Sequence, residues 1–195
     1  MKLEPAFYHR KNVVTIARQL LGKVLITSIK GKVTSGMIVE TEAYSWKERG
    51  CHAYNGRKTQ RNEIMFDDGG RAYVYLCYGM HYLFNVVTNT SDIAEAVLIR
   101  AVEPLEGVDL MIKRRGDIPL HQLTSGPGKL TRALGIDRSW NGKVLWNDEV
   151  WIEDIDRKVP SRQCEVSKRI GIDYAGADAN LPWRFSIRGN KWVSK

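Results

Sequence analysis

Two pairs of short apolar runs, each pair closed by a glycine-bearing turn, constrain this chain more than any other feature. Residues 23–28 and 33–44 flank Lys30-Gly31-Lys32, and residues 71–78 and 80–88 flank Tyr78-Gly79-Met80. Strand side chains alternate between two faces, and tight turns join antiparallel neighbours, so each pair reads as a β-hairpin. In the second run, Ile38, Glu40, Glu42 and Tyr44 share one face by this rule. A further strand, 95–103, places Leu98, Arg100 and Val102 on a common face and stops at Pro104. Residues 13–24 repeat apolar side chains at helical spacing, with Asn12 able to cap the start and Gly22 able to end the helix. Helices are also expected over 105–113 and over 129–134, the latter opened by the TSGPG turn and closed by Gly135. Residues 147–155 and 164–172 read as short strands, and 181–189 as a helical or extended tail. No repeat or linker divides the chain. The expectation is a single α+β domain over 1–195.

Charge says something about partners. Thirty Lys and Arg against 22 Asp and Glu give a net charge of +8 and a pI near 9.4. Clustered cations gain by releasing counterions from phosphates, so a polyanion is the expected partner. Cys51, Cys77 and Cys164 are scattered and form no C-x-x-C, which removes thiolate zinc and iron–sulfur sites and points to a reducing compartment. The first residues carry no apolar signal segment, and no apolar run approaches the ~18 residues that would span a bilayer. The expected setting is cytoplasmic, without a membrane.

The chemistry-bearing residues crowd between Met37 and Asn85. Glu42, on a half-buried strand, could orient and deprotonate a water for attack on an anomeric carbon, or it could pair with a nearby Arg or Lys. Glu40 is either its second carboxylate or a salt-bridge partner, the latter being favoured. His52 could meet a base or a water, or simply be solvated. Tyr44, Tyr73, Tyr75 and Tyr78 could form a stacking box or serve as core and rim residues. Tyr78 stands at a hairpin tip, where a bulky ring has little to pack on and could wedge into stacked bases. The TSGPGKLT stretch is not a phosphate loop, because Leu123 and Leu130 stand where Gly and Ser or Thr are required. Its glycine-rich turn and Lys129 can still hold a DNA phosphate. No His or Cys spacing suggests a metal site.

Together, VETEAY (39–44), His52, RKTQRNEIMF (57–66), YVYLCYGMHYLFN (73–85), LIRAVEPLEG (98–107), TSGPGKLTRALGI (124–136), RIGIDYAG (169–176) and LPWRF (181–185) resemble the alkyladenine (3-methyladenine) DNA glycosylase family. The likeness runs over nearly the whole chain, in the family's order. It implies a curved antiparallel sheet flanked by helices with a protruding β-hairpin, acting without metal or cofactor. It implies a monomer whose partner is double-stranded DNA containing damaged purines, in a bacterial cytoplasm at the nucleoid. By the same resemblance Glu42 is the base that activates water, and Arg100 shares the binding of that water and the sugar-phosphate. Tyr44, His52 and Tyr75 would sandwich the flipped base, Asn85 would reject the exocyclic amine of guanine, and Tyr78 would fill the gap in the duplex. Thr59 and Met65 would touch DNA around the extruded nucleotide.

The implied function is a monofunctional glycosylase that opens base excision repair by hydrolysing the N-glycosidic bond of 3-methyladenine, 7-methylguanine, hypoxanthine or ethenoadenine. The product would be an abasic site with the strand intact. A non-catalytic nucleic-acid-binding module with a tyrosine stacking platform is the alternative, and it leaves Glu42 without a role. Two departures stand out. The loop SWKERGC before His52 is more basic than the family's, and Asp68 replaces a proline before Gly69. The chain also lacks the long N-terminal extension of the vertebrate members.

Overall fold

The computed structural model describes residues 1–194. In chain order, helices α1 (Pro5–Tyr8) and α2 (Val13–Leu20) precede strands β1 (Val24–Ile29) and β2 (Lys32–Ser45). A connection with two 3-10 turns leads to β3 (Ala72–Cys77), β4 (His81–Thr88) and β5 (Glu95–Glu106). Helices α3 (Val108–Arg115) and α4 (Pro127–Leu134) follow, then β6 (Val150–Glu153), β7 (Cys164–Ser167) and β8 (Arg184–Ile187). All named strands join one open antiparallel sheet in the order β3-β4-β5-β2-β1-β6, with β8 pairing both β2 and β7. This is the α+β architecture expected.

β2 is the spine. Its first half pairs with β1 through the Lys30-Gly31 turn, whose residues both have positive φ, as a two-residue hairpin turn of the primed type requires. Its second half, Glu40–Glu42, lies between β5 and β8. Asn12 caps α2 by accepting from the Thr15 N–H at 2.9 Å, and the buried Val13, Ile16, Ala17 and Leu20 form its inner stripe. That helix ends at Leu20 rather than residue 24, because Leu21 already takes extended backbone and Val24 is claimed by β1.

Other boundaries shift for physical reasons. β5 continues through Pro104 to Glu106 instead of stopping. Its pairing with β4 ends at Leu98, so the missing proline N–H faces no strand on that side. The helix expected over 105–113 starts at Val108, after Gly107 turns the chain in the left-handed region. α4 opens two residues earlier than expected, at Pro127, whose fixed φ suits a first turn. Residues 168–172 leave the sheet after Ser167, and the tail becomes strand at Arg184–Ile187. Strict alternation also breaks in β2 and β5. Val39 and Arg100 have no register partner, a pair of opposed bulges, and Ile38 and Val102 join the apolar core instead of sharing the polar face.

Candidate active site

The pairing register places one row of side chains across five strands. Tyr73 on β3 pairs with Asn85 on β4, Asn85 with Leu98 on β5, Leu98 with Glu42 on β2, and Glu42 with Arg184 on β8. Residues two positions along from this row, Tyr44, Tyr75, Leu83 and Ala96, share the same face. Tyr73, Asn85 and Leu98 line one cavity of about 740 Å³, and so do those four. That volume is ordinary for a ligand cleft. Gly50–His52, Ile170–Ile172 and the start of α4 complete the lining.

Glu42 is fully buried at the edge of this cavity. Its Oε2 accepts from the Tyr44 hydroxyl at 2.8 Å and from Arg100 Nη1 at 3.2 Å, and its Oε1 accepts from the Ile170 N–H at 2.8 Å. Glu42 is not among the lining residues, but all three of its donors are. A carboxylate offers about four acceptor positions, so one on Oε1 stays open. The charge of Arg100 is shared with Glu40, whose Oε1 also accepts from Arg184 at 2.6 Å and from the Ser194 hydroxyl at 2.8 Å. Glu40 is thus the salt-bridge partner, and the bulge at Arg100 aims one guanidinium at both acids. Burial opposes the Arg100 charge, but Glu42 and Glu40 hold its pKa above the ordinary value. Burial, then the Glu42 charge, pushes the Tyr44 hydroxyl well above the usual phenol range, so it stays a donor.

The aromatic wall is built around His52. Its Nδ1 lies 2.8 Å from the Tyr73 hydroxyl, and its ring meets Tyr75 edge-on with centroids 4.6 Å apart. Burial, reinforced by the nearby Arg61 charge, lowers its pKa to about 4, so the imidazole is neutral at physiological pH. Arg61 itself lies 5.1 Å over the Tyr75 ring. The chain around His52 is held by the buried Asn62, whose amide donates to the His52 and Arg57 carbonyls, each at 2.9 Å. Burial pushes the Cys51 thiol up to about 12, so it is no thiolate nucleophile.

Of the other expected residues, Met65, Tyr78, Asn85 and Lys129 line the cavity with Tyr44, His52, Tyr75 and Arg100. Thr59 does not: its N–H and hydroxyl both donate to Asn62 Oδ1, which makes it part of the loop's staple. Asn85 donates to the Tyr73 carbonyl at 3.0 Å. Tyr78 is 82% exposed, with φ +50°. Sequence reasoning missed Arg169, which forms a bidentate pair with Glu48 at 2.7 Å and whose guanidinium lies 4.7 Å over the Tyr44 ring. The segment RIGIDYAG carried it, but nothing in the spacing ties residue 169 to residue 48.

A match to the family model "Methylpurine-DNA glycosylase (MPG)" covers residues 6–191. The chain belongs to the methylpurine-DNA glycosylase family. It is 50% identical over 188 residues to a Chlamydia pneumoniae protein named "Putative 3-methyladenine DNA glycosylase", covering 95% of this chain and 94% of that one. Proteins of the same name from Clostridium acetobutylicum and Desulfitobacterium hafniense are 46% and 43% identical, covering 100% and 99% of this chain and 98% of each relative. The chain is therefore a DNA glycosylase, a DNA-repair enzyme that acts on DNA. Among the described residues, no helix is long and apolar enough to cross a membrane.

Proposed function

We propose that this glycosylase draws an alkylated or deaminated purine out of duplex DNA into the tyrosine-walled cavity and hydrolyses its N-glycosidic bond with water activated by Glu42. The supporting observation is the Glu42 carboxylate, buried and fixed by three donors that all line the cavity, with an acceptor position left open. Extruding a base costs a few kcal/mol, less where damage has weakened pairing. A cationic base such as 3-methyladenine or 7-methylguanine gains roughly 0.5–2 kcal/mol against the faces of Tyr44 and Tyr75. It is already a good leaving group. Neutral hypoxanthine and ethenoadenine depend more on hydrogen bonds at His52, whose neutral ring suits an uncharged purine.

As the base departs, positive charge develops on the sugar, and the Glu42 carboxylate stabilises it while taking a proton from the attacking water. Arg100 keeps that carboxylate aimed and holds water and sugar-phosphate. Asn85 screens the purine edge, Tyr78 fills the vacated stack, and Met65 and Lys129 engage the flanking backbone. Among the described residues Lys129 is the lysine that lines the cavity, and its role is a phosphate contact, not an imine. The test is a set of single-lesion duplexes followed by product analysis. Free base and alkali-labile abasic sites are expected from one or more of these purines, without a borohydride-trapped adduct. Strand cleavage without alkali, or a trapped adduct, would show the monofunctional mechanism to be wrong.

A further inference from the structure

A second basic depression lies on the other face of the sheet. Glu40 and Glu42 face the cavity, so Thr41 between them faces away, and its hydroxyl donates to the Ala17 carbonyl of α2 at 2.8 Å. Between α2 and residues 154–161 is a cavity of about 570 Å³ that shares no lining residue with the first. Its cations are Arg10, Arg18, Lys23, Arg157 and Lys158, and its one acid is Asp154. Asp154 is taken by Lys23 at 2.6 Å. Among the described residues the other four cations have no ion-pair partner.

One of these four is held in place by neutral groups, and a second lies near an aromatic ring. Arg10 donates to the Phe7 carbonyl and to Gln19, and its guanidinium lies 4.2 Å over the Phe7 ring. Arg18 lies 5.7 Å over Phe185. The facing wall is fixed at Gly22, with φ +83°, where a Cβ would stand 2.9 Å from the Arg157 carbonyl oxygen. The groove is therefore a formed feature with uncompensated charge.

We propose that this groove is a second nucleic-acid site, holding the phosphodiester backbone of a duplex segment other than the one whose base enters the cavity. Guanidinium forks match phosphate oxygens, and held side chains lose less freedom on binding. The polyanion this family acts on is DNA, which supplies such phosphates at regular spacing. An enzyme gripping two segments could pass between them without fully dissociating.

The test uses Arg18→Gln, Arg157→Gln and Lys158→Gln together, all three positions being exposed. Energy transfer between two differently labelled undamaged duplexes is measured against protein concentration and salt. The wild-type protein is expected to bring the duplexes together, and the triple variant to need at least tenfold more protein. The log–log salt slope should fall by about 2–3, at roughly 0.9 per lost phosphate contact. Single-turnover excision from a short lesion duplex should stay within twofold. Unchanged bridging in the variant, or bridging and excision lost together, would overturn the proposal. So would binding of inorganic phosphate or poly-glutamate to the groove without any bridging of duplexes. Because undamaged duplexes suffice, failure of the excision mechanism proposed above would leave this readout intact.

Discussion

At the scale of single residues, the site depends on one guanidinium serving two acids. Arg100 reaches Glu40 at 3.1 Å and Glu42 at 3.2 Å from different nitrogens. A lysine keeps the charge but not the fork. Arg100→Lys should therefore lower single-turnover excision about ten- to a hundredfold while leaving duplex affinity within a few-fold; an unchanged rate would mean that Arg100 does not position Glu42. His52 makes a pH prediction. Its pKa falls from 6.5 unfolded to about 4 folded, so below pH 6.5 the unfolded chain binds a proton that the native site refuses. Stability is full above pH 6.5 and declines as pH falls toward 4, by about 2–3 kcal/mol after allowance for partial exposure. His52→Asn should remove that part of the acid-side decline in Tm measured from pH 7 to pH 4. The sequence favours a salt-bridge role for Glu40 and leaves one open for Glu42, but it does not show that a single arginine serves both. The bulges that aim Arg100 at both acids leave no mark in the alternation, so period-two spacing puts Ile38 and Val102 on the wrong face.

At the scale of elements, the hairpin tip joins strain to function. Tyr78 is a bulky residue in the left-handed region, a conformation costing roughly 1–2 kcal/mol that glycine avoids. Tyr78→Gly should raise stability by about 1 kcal/mol in urea unfolding while weakening binding of lesion duplex. A variant that loses stability, or binds as before, would speak against a strained wedge. The hairpins, α2 and its cap were legible because period and turn chemistry are local signals. The connection between β2 and β3 carries no such signal. Its structure rests on short 3-10 turns, on Asn62 reaching back to His52, and on Cys51, Ala53, Met65 and Phe66 packing into a separate apolar cluster. Such contacts have no period for a sequence to display. The loop before His52 keeps an acid at its centre: Glu48 is buried against Arg169, and the flanking charges belong to Lys47 and Arg49.

At the scale of the molecule, the antiparallel register does the assembling, since residues more than a hundred positions apart meet only because β8 returns to β2 beside Glu40–Glu42. Ile170 and Ser194 reach the buried acids by the same return, and no short-range pattern announces them. The net charge of +8 predicts that affinity for undamaged duplex falls linearly with salt on log–log axes, and a flat response would refute the electrostatic footprint. The most direct measurement is single-turnover excision by Glu42→Gln beside the wild-type enzyme, with lesion-duplex affinity measured on the same preparations. Loss of excision by roughly three orders of magnitude with affinity kept within a few-fold is the expected result. A Glu42→Gln enzyme that still excises at near the wild-type rate would contradict the assignment of this buried carboxylate as the group that activates water.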